Sequence, residues 1–397
     1  MRQIPQLGSR PALRVALAAA LVVLVATAFG PYRAELPWLA SLVVHQLRLQ
    51  SENVIGVWYA SMVFLGASVL FAAAALRAHQ AGARAWRAWG WGAFAGFTAL
   101  LSLDELGSLH ERLGLMLDGW IGVLAVPGAI VVGGILLFAV KVAREERAVA
   151  ALIALGAVLL ATVPVQEWIE VNLGRDPVVG ALLEEGTELA AALLFVAAGL
   201  LKLPPSGHPR LAAPRCGWTV VAAAVVAAAA VGALASTRAL AFLPDRGGLG
   251  EPSHWFLAAP PFLAGVLLLF EGVPAGAGRI ALGVVTLAMS ADAGASAAIS
   301  DEILVGSPDA RLLADLLLLA ACGFAAVLVA PTRLMPRRRL AGWLVAAFAW
   351  VVVPVPAKWL ATLAASGLAL FALAERRADV AGRDAGAAEP QAVEGPV

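Results

Sequence analysis

The stretch RAWRAWGWGAFAGFTALLSLDELGSLHE, residues 84–111, decides how the whole chain is read. It opens with Arg84 and Arg87 among Trp86, Trp89 and Trp91. It then runs through an uncharged apolar middle at 88–103 and ends in Asp104, Glu105, His110 and Glu111. Tryptophans beside basic residues anchor a helix end at the cytoplasmic interface of a membrane, and an apolar run crosses the hydrocarbon. The acids then fall at the opposite interface. Carboxylates near membrane depth are expensive, so they are usually kept for a function.

Similar apolar runs recur from end to end. They lie near 11–29, 53–76, 88–103, 120–140, 148–166 and 181–201, then near 217–240, 254–271, 279–298, 311–331, 340–355 and 358–375. Of the 397 residues, 61% are hydrophobic and 14% charged, against roughly 25% charged in a soluble domain. The fold class is therefore all-α: a polytopic helix bundle of about twelve transmembrane helices in a lipid bilayer. A β-barrel would need alternating ten-residue segments, and these are absent. Net charge is +1 with no long basic tract, which excludes nucleic acid as a partner. Cys216 and Cys322 sit at the start of one span and inside another, so neither a structural disulfide nor a cysteine metal site is expected. Ala26-Thr27-Ala28 after a basic, apolar start has the form of a signal-peptide cleavage site. The same element recurs near residue 217, so it reads as the first membrane helix instead.

Lys and Arg orient the bundle. Alternate connections and both ends collect 20 of the 28 basic residues, among them Arg84, Arg87, Lys141, Arg144, Arg147 and Lys202. Positive residues stay inside, so both termini are expected in the cytoplasm and the acid clusters on the outer side.

The halves read as a duplication. Val57-Trp58-Tyr59 matches His254-Trp255-Phe256, Ser102-Leu103-Asp104 matches Ser290-Ala291-Asp292, and Val163-Pro164-Val165 matches Val353-Pro354-Val355. The order is kept and the offsets run from 188 to 197 residues. Six spans per copy give a parallel 6+6 tandem repeat, a plan found among transporters. Residues 1–205 form the copy with the acids. Residues 206–375 form a degenerate copy, with Ala293, Ala298 and Ile299 opposite Glu105, His110 and Glu111. Residues 376–397 form a polar cytoplasmic tail with the composition of a disordered segment.

At about 100° per residue, Asp104, Ser108 and Glu111 share a helical face, with His110 a quarter-turn away and Glu105 pointing elsewhere. Glu167 and Glu170 can converge, as can Glu184 and Glu188. Each cluster alone has a bland reading: an interfacial loop, a solvated end beside Trp168, or acids favoured by the dipole at a helix start. Taken together, on one side and in one half, they read as a single site. Carboxylates brought that close must share protons or bind a cation. The expected ligands of a divalent metal ion are Asp104, His110, Glu111, Glu167, Glu170, Glu184 and Glu188, with Glu105 or Glu185 as an unligated catalytic base. Oxygen-rich ligation with one imidazole suits several divalent metals. The paired Glu-x-x-His pattern of di-iron bundles and the His-Glu-x-x-His pattern of zinc proteases are both missing.

Leu101-Ser102-Leu103-Asp104-Glu105 with His110-Glu111, then Glu184-Glu185 and Glu188, resembles a pattern that recurs in uncharacterised bacterial multi-pass membrane proteins. That resemblance covers mainly residues 90–200. It implies an inner-membrane protein with a carboxylate/His site and no assigned activity. The expected function is a metal-dependent hydrolase or transferase on a lipid or lipid-linked substrate. A cation- or proton-coupled transporter is the alternative, although transporters place coupling sites near the midplane and these acids gather at one end. A structural membrane protein without catalysis is the remaining reading.

Overall fold

The computed structural model describes residues 11–37, 55–110, 120–173 and 177–202. Beyond these it describes single positions at 40, 44 and 47 and short helical stretches within 255–264, 283–291, 340–346 and 364–369. Among the described residues helix is the regular structure throughout. Six long helices follow one another: α1 (Pro11–Phe29), α2 (Ile55–Gln80), α3 (Ala85–Gly107), α4 (Trp120–Ala143), α5 (Arg147–Leu173) and α6 (Pro177–Lys202). They stand where the apolar runs of the first half lie. Of the second half, the spans expected near 217–240 and 311–331 and the tail at 376–397 lie outside the described residues.

Among the described residues, three segments are long and apolar enough to cross a membrane: Ile55–Gln80, Val126–Ala143 and Arg147–Gln166. Helix α1 carries a shorter apolar stretch, Leu13–Phe29. Helices α3 and α6 are as long, but the acids under discussion interrupt their apolar runs.

Local chemistry ends the helices where it should. Gly82 has φ +62°, the left-handed conformation that glycine adopts without steric cost. Its N–H donates to His79 O (3.0 Å), and the Ala83 N–H donates to Ala78 O (2.9 Å). This is a Schellman cap, and it turns α2 into α3. Between α4 and α5, the Glu145 and Glu146 N–H groups both donate to Val142 O. The Glu146 carbonyl then accepts from Ala150 N–H and opens the next helix.

Two compact units divide the chain. The first comprises Met1–Pro205, Ala233–Trp255 and Gly294–Ser307; the second comprises Ser206–Gly232, Phe256–Ala293 and Pro308–Val397. In the first, α2 packs closely on α3, α5 on α6, α4 on α5, and α6 also on α2 and α1. All six helices supply its core, with Val23, Phe64, Phe71, Phe94, Ile135, Ile153, Leu189 and Phe195 among the buried residues. Small residues let the backbones approach. A Cβ on Gly199 would lie 2.6 Å from Leu70 Cβ, so α6 meets α2 closely there because glycine leaves room. Apolar side chains also cover the outside, including Val126, Ile130, Leu137 and Val140 of α4. A helix apolar all round suits lipid on one face and protein on the other.

Serine hydroxyls tie helix pairs together. In the first unit Ser61 Oγ donates to Ser102 O (2.6 Å), and Ser102 Oγ donates to Ser61 O (2.7 Å). Ser102 Oγ also accepts from Trp255 Nε1 at 2.8 Å, within the same unit. In the second unit Ser290 Oγ donates to Ala258 O at 2.6 Å. The indole of Trp343 is fully buried there, and among the described residues its Nε1 has no hydrogen-bond partner.

Candidate functional site

The serine pair fixes the last turns of α3, and the polar residues follow directly. Helix α3 ends at Gly107, and Ser108, fully buried, turns into the left-handed region with φ 46° and ψ 45°. A non-glycine residue there is uncommon and breaks the helical phase. Beyond this break, two groups of His110 meet one carboxylate. The His110 N–H donates to Asp104 Oδ1 (2.9 Å), and the ring Nδ1 lies 3.0 Å from Asp104 Oδ2. An ionised carboxylate only accepts, so Nδ1 carries the proton in this pair and Nε2 is the nitrogen suited to bind or take up a proton. Both side chains are partly buried.

One residue on, Glu105 turns toward α6. Helices α3 and α6 are not among the closely packed pairs, and side chains meet across the space between them. Midway, the rings of Phe94 and Phe195 meet edge to face with centroids 4.9 Å apart. Toward one end, Lys202 lies over the Trp91 ring. Toward the other, Glu105 meets Glu185 and Glu188. One carboxylate oxygen from each of the three lies within 4.8 Å of the others, and all three residues are half-buried. Glu105, Glu184, Asp104 and His110 all lie close enough to Glu188 to act on it electrostatically. Oxygen ligands stand about 2.0–2.6 Å from a divalent ion. Ligand atoms on opposite sides of one ion are then roughly 4–5 Å apart, so the spacing of this trio fits a shared cation.

Helical phase misplaces two of the expected residues. His110 is not a quarter-turn from Asp104 but folded onto it, because the helix stops before Ser108. Glu105 does not point away from the cluster but helps to form it. On α6, the i,i+3 pair Glu185 and Glu188 converges with Glu105, with Glu184 beside them. Glu111 lies outside the described residues. Glu167 and Glu170 belong to the last turns of α5, and their side chains also lie outside what is described.

Sequence reasoning passed over Gln166. Its Nε2 donates to Thr162 Oγ1 one turn back (2.9 Å) and to Thr187 Oγ1 across on α6 (3.3 Å). Both hydroxyls donate onward to their own helices, Thr162 to Leu159 O at 2.7 Å and Thr187 to Leu183 O. Gln166 Oε1 is buried and, among the described residues, has no hydrogen-bond partner. A buried acceptor left unpaired costs about 1–3 kcal/mol. The available signal was an amide at i+4 from a threonine inside an apolar helix, next to Pro164.

The opposite end of this unit has different chemistry. Arg87 is paired with Glu145 and Lys202 with Glu146. Arg87 and Lys141 both lie over the Trp86 ring, at 5.5 and 5.6 Å.

No curated protein and no solved structure matches the chain. Residues 15–203, which carry α3, α6 and every site residue from Asp104 to Glu188, match the family model described as Domain of unknown function (DUF8692).

Proposed function

We propose that this is a multi-pass inner-membrane protein that binds a divalent cation through Glu105, Glu185 and Glu188. In this reading it uses the cation, with Asp104-oriented His110, to hydrolyse or transfer a group on a lipid or lipid-linked substrate. The supporting observation is the meeting of three carboxylates from two helices beside a histidine held at two points by an aspartate. A cation there would polarise a substrate oxygen and make a bound water more acidic. His110 Nε2 would take the proton, while Asp104 fixes the ring and stabilises its charged form. This moves Glu105 and Glu185 from the role of base to that of ligand. Lys and Arg bias puts the site on the outer side, within reach of outer-leaflet headgroups.

The test is metal analysis of the purified full-length protein. The proposal expects about one divalent ion per chain, lost from the double variant Glu105→Gln plus Glu188→Gln. Absence of metal in the wild type, or the same content in the variant, would contradict it.

A cation-coupled transporter is the second reading, because the halves share more than sequence order. Ser102 bonds to the carbonyl of residue 61, and Ser290 bonds to that of residue 258. These positions are related by the offsets of 188 and 197 residues that align the two halves. A common helix-pairing device at matched positions supports a duplicated architecture. Cation-dependent uptake of a solute into proteoliposomes would favour this reading over the enzyme.

A further inference from the structure

We propose that the end of the first unit opposite the glutamates holds the headgroup of an anionic phospholipid, with an acyl chain lying along α4. Nothing in this site depends on a cation at the other end. The helix ends gathered there carry Arg84, Arg87, Lys141, Arg144, Arg147 and Lys202 against Glu145 and Glu146. Arg87 and Lys202 take the two glutamates. Among the described residues no acid pairs with Arg84, Lys141, Arg144 or Arg147, and Lys141 and Arg144 are exposed. Like charges held together repel, and an anion settling among them relieves that repulsion.

Packing holds two of these cations at one place. Trp86 stands edge to face against Phe138, with 6.1 Å between centroids, and Phe138 stands edge to face against the buried Trp91 at 4.8 Å. Gly90 leaves the room for this, because a Cβ there would lie 2.3 Å from the Phe138 ring. On the platform so braced, the Arg87 guanidinium lies 5.5 Å and the Lys141 ammonium 5.6 Å from the centre of the Trp86 ring. An aromatic face attracts a cation but is no strong hydrogen-bond acceptor, so the exposed ammonium keeps its donors for another group. A phosphodiester supplies charge and acceptor oxygens together.

What lies beyond Lys141 selects a lipid over a free phosphate. Val126, Ile130, Leu137 and Lys141 follow one another at helical spacing and so share one face of α4. The first three are 66%, 70% and 68% exposed, an apolar stripe that runs up to the cation. Between Ile130 and Leu137, a Cβ on Gly133 or Gly134 would meet nothing within 4 Å among the described residues. Glycine inside a helix is disfavoured relative to alanine, and packing does not demand it here. The pair leaves a shallow notch in the stripe. An acyl chain fits that notch while its phosphate reaches Lys141 and Arg144. Exposed Trp89 and half-exposed Trp86 mark the headgroup depth, where basic residues attract anionic lipid.

The experiment uses full-length protein in non-ionic detergent, titrated separately with phosphatidylglycerol, phosphatidylcholine and glycerol phosphate. Native mass spectrometry reads each bound fraction. Phosphatidylglycerol is expected to bind more tightly than either of the others. Lys141→Gln plus Arg144→Gln is expected to weaken it roughly 20–30-fold, about fivefold for each cation near an anionic headgroup, and to leave phosphatidylcholine unchanged. Trp86→Leu alters no charge and is expected to cost about two- to fivefold through loss of the ring under the cations. Lys141→Gln alone should cost more than Arg77→Gln, which removes the same charge from the end of α2. Equal losses in those two would overturn the proposal, because diffuse surface charge would then be acting. So would equal affinity for phosphatidylcholine, or phosphatidylglycerol binding that the double variant leaves intact. Glycerol phosphate binding as tightly as the lipid would also overturn it, in favour of a free phosphate. If Trp86→Leu fails to fold, the exposed-residue variants decide by themselves.

Discussion

At one end of the first unit, where α4 turns into α5, Glu145 meets Arg87 and Glu146 meets Lys202, with Trp86 and Trp91 beneath the cations. At the other end Glu105, Glu185 and Glu188 meet one another. The same helices, α3 and α6, contribute to both ends. Opposite charges at a partly exposed helix end need nothing further, and such pairs contribute little to stability. Like charges gathered at half-buried positions are stable only with protons or a cation among them. The first end reads as an anchor and the second as a binding site. The variants that follow test that contrast.

Adding the cation should separate the ends most sharply. A ligand bound to the folded state alone stabilises it by about 2.7 kcal/mol at one hundred times its Kd. Thermal unfolding in detergent, with and without saturating Mn²⁺, should show such a gain in wild type. It should vanish in Glu105→Gln plus Glu188→Gln and persist in Arg87→Ala. Equal gains in all three proteins would mean that the cation acts elsewhere.

Asp104→Asn comes next. It removes the carboxylate that holds His110 at Nδ1, so the ring loses its tautomer and direction. Loss of such an outer partner typically costs about 10–100-fold, here read as reduced turnover of a lipid-linked substrate with the cation still bound. Loss of the cation with unchanged local structure would instead make Asp104 a ligand.

The two units offer a smaller comparison. Ser102→Ala removes a donor to Ser61 O and an acceptor for Trp255, whereas Ser290→Ala removes the bond to Ala258 O. A net hydrogen bond contributes about 0.5–1.5 kcal/mol, and a buried group left unmatched costs about 1–3. Ser102→Ala should therefore lower unfolding stability more than Ser290→Ala. Equal losses would show that the network around Ser102 adds nothing beyond the bond common to both units.

Smallest of all should be Arg87→Ala or Lys202→Ala. Exposed ion pairs are typically worth about 0.2–1 kcal/mol and weaken with salt. Unfolding at low and high ionic strength should show a modest loss that salt removes. A loss of several kcal/mol would mean that this end is buried as the other is.

Much of the first unit was legible in the chain itself. Apolar runs bounded by Arg or Lys at one end and by acids at the other mark α2 through α6, and the helices extend beyond those runs by at most seven residues. The gathering of Asp104, Glu105, His110, Glu185 and Glu188 at one end also follows from their places in antiparallel α3 and α6. What helical phase could not supply was the break at Ser108. A serine in the left-handed region has no strong sequence signal, yet it carries His110 back onto Asp104. The convergence of Glu105 with α6 depends on a separation between helices that periodicity does not encode. Gln166 escaped notice because a lone amide resembles ordinary helix-packing polarity until its unmatched oxygen is seen.

The claim at the centre is that Glu105, Glu185 and Glu188 hold one divalent cation. Equilibrium binding of Mn²⁺ to full-length wild type and to Glu105→Gln plus Glu188→Gln tests it most directly. One saturable site per chain in the wild type, with affinity falling in the double variant by more than the roughly 100-fold ceiling of an outer-shell effect, is the predicted result. No saturable site in the wild type, or equal affinity in the two proteins, would contradict it.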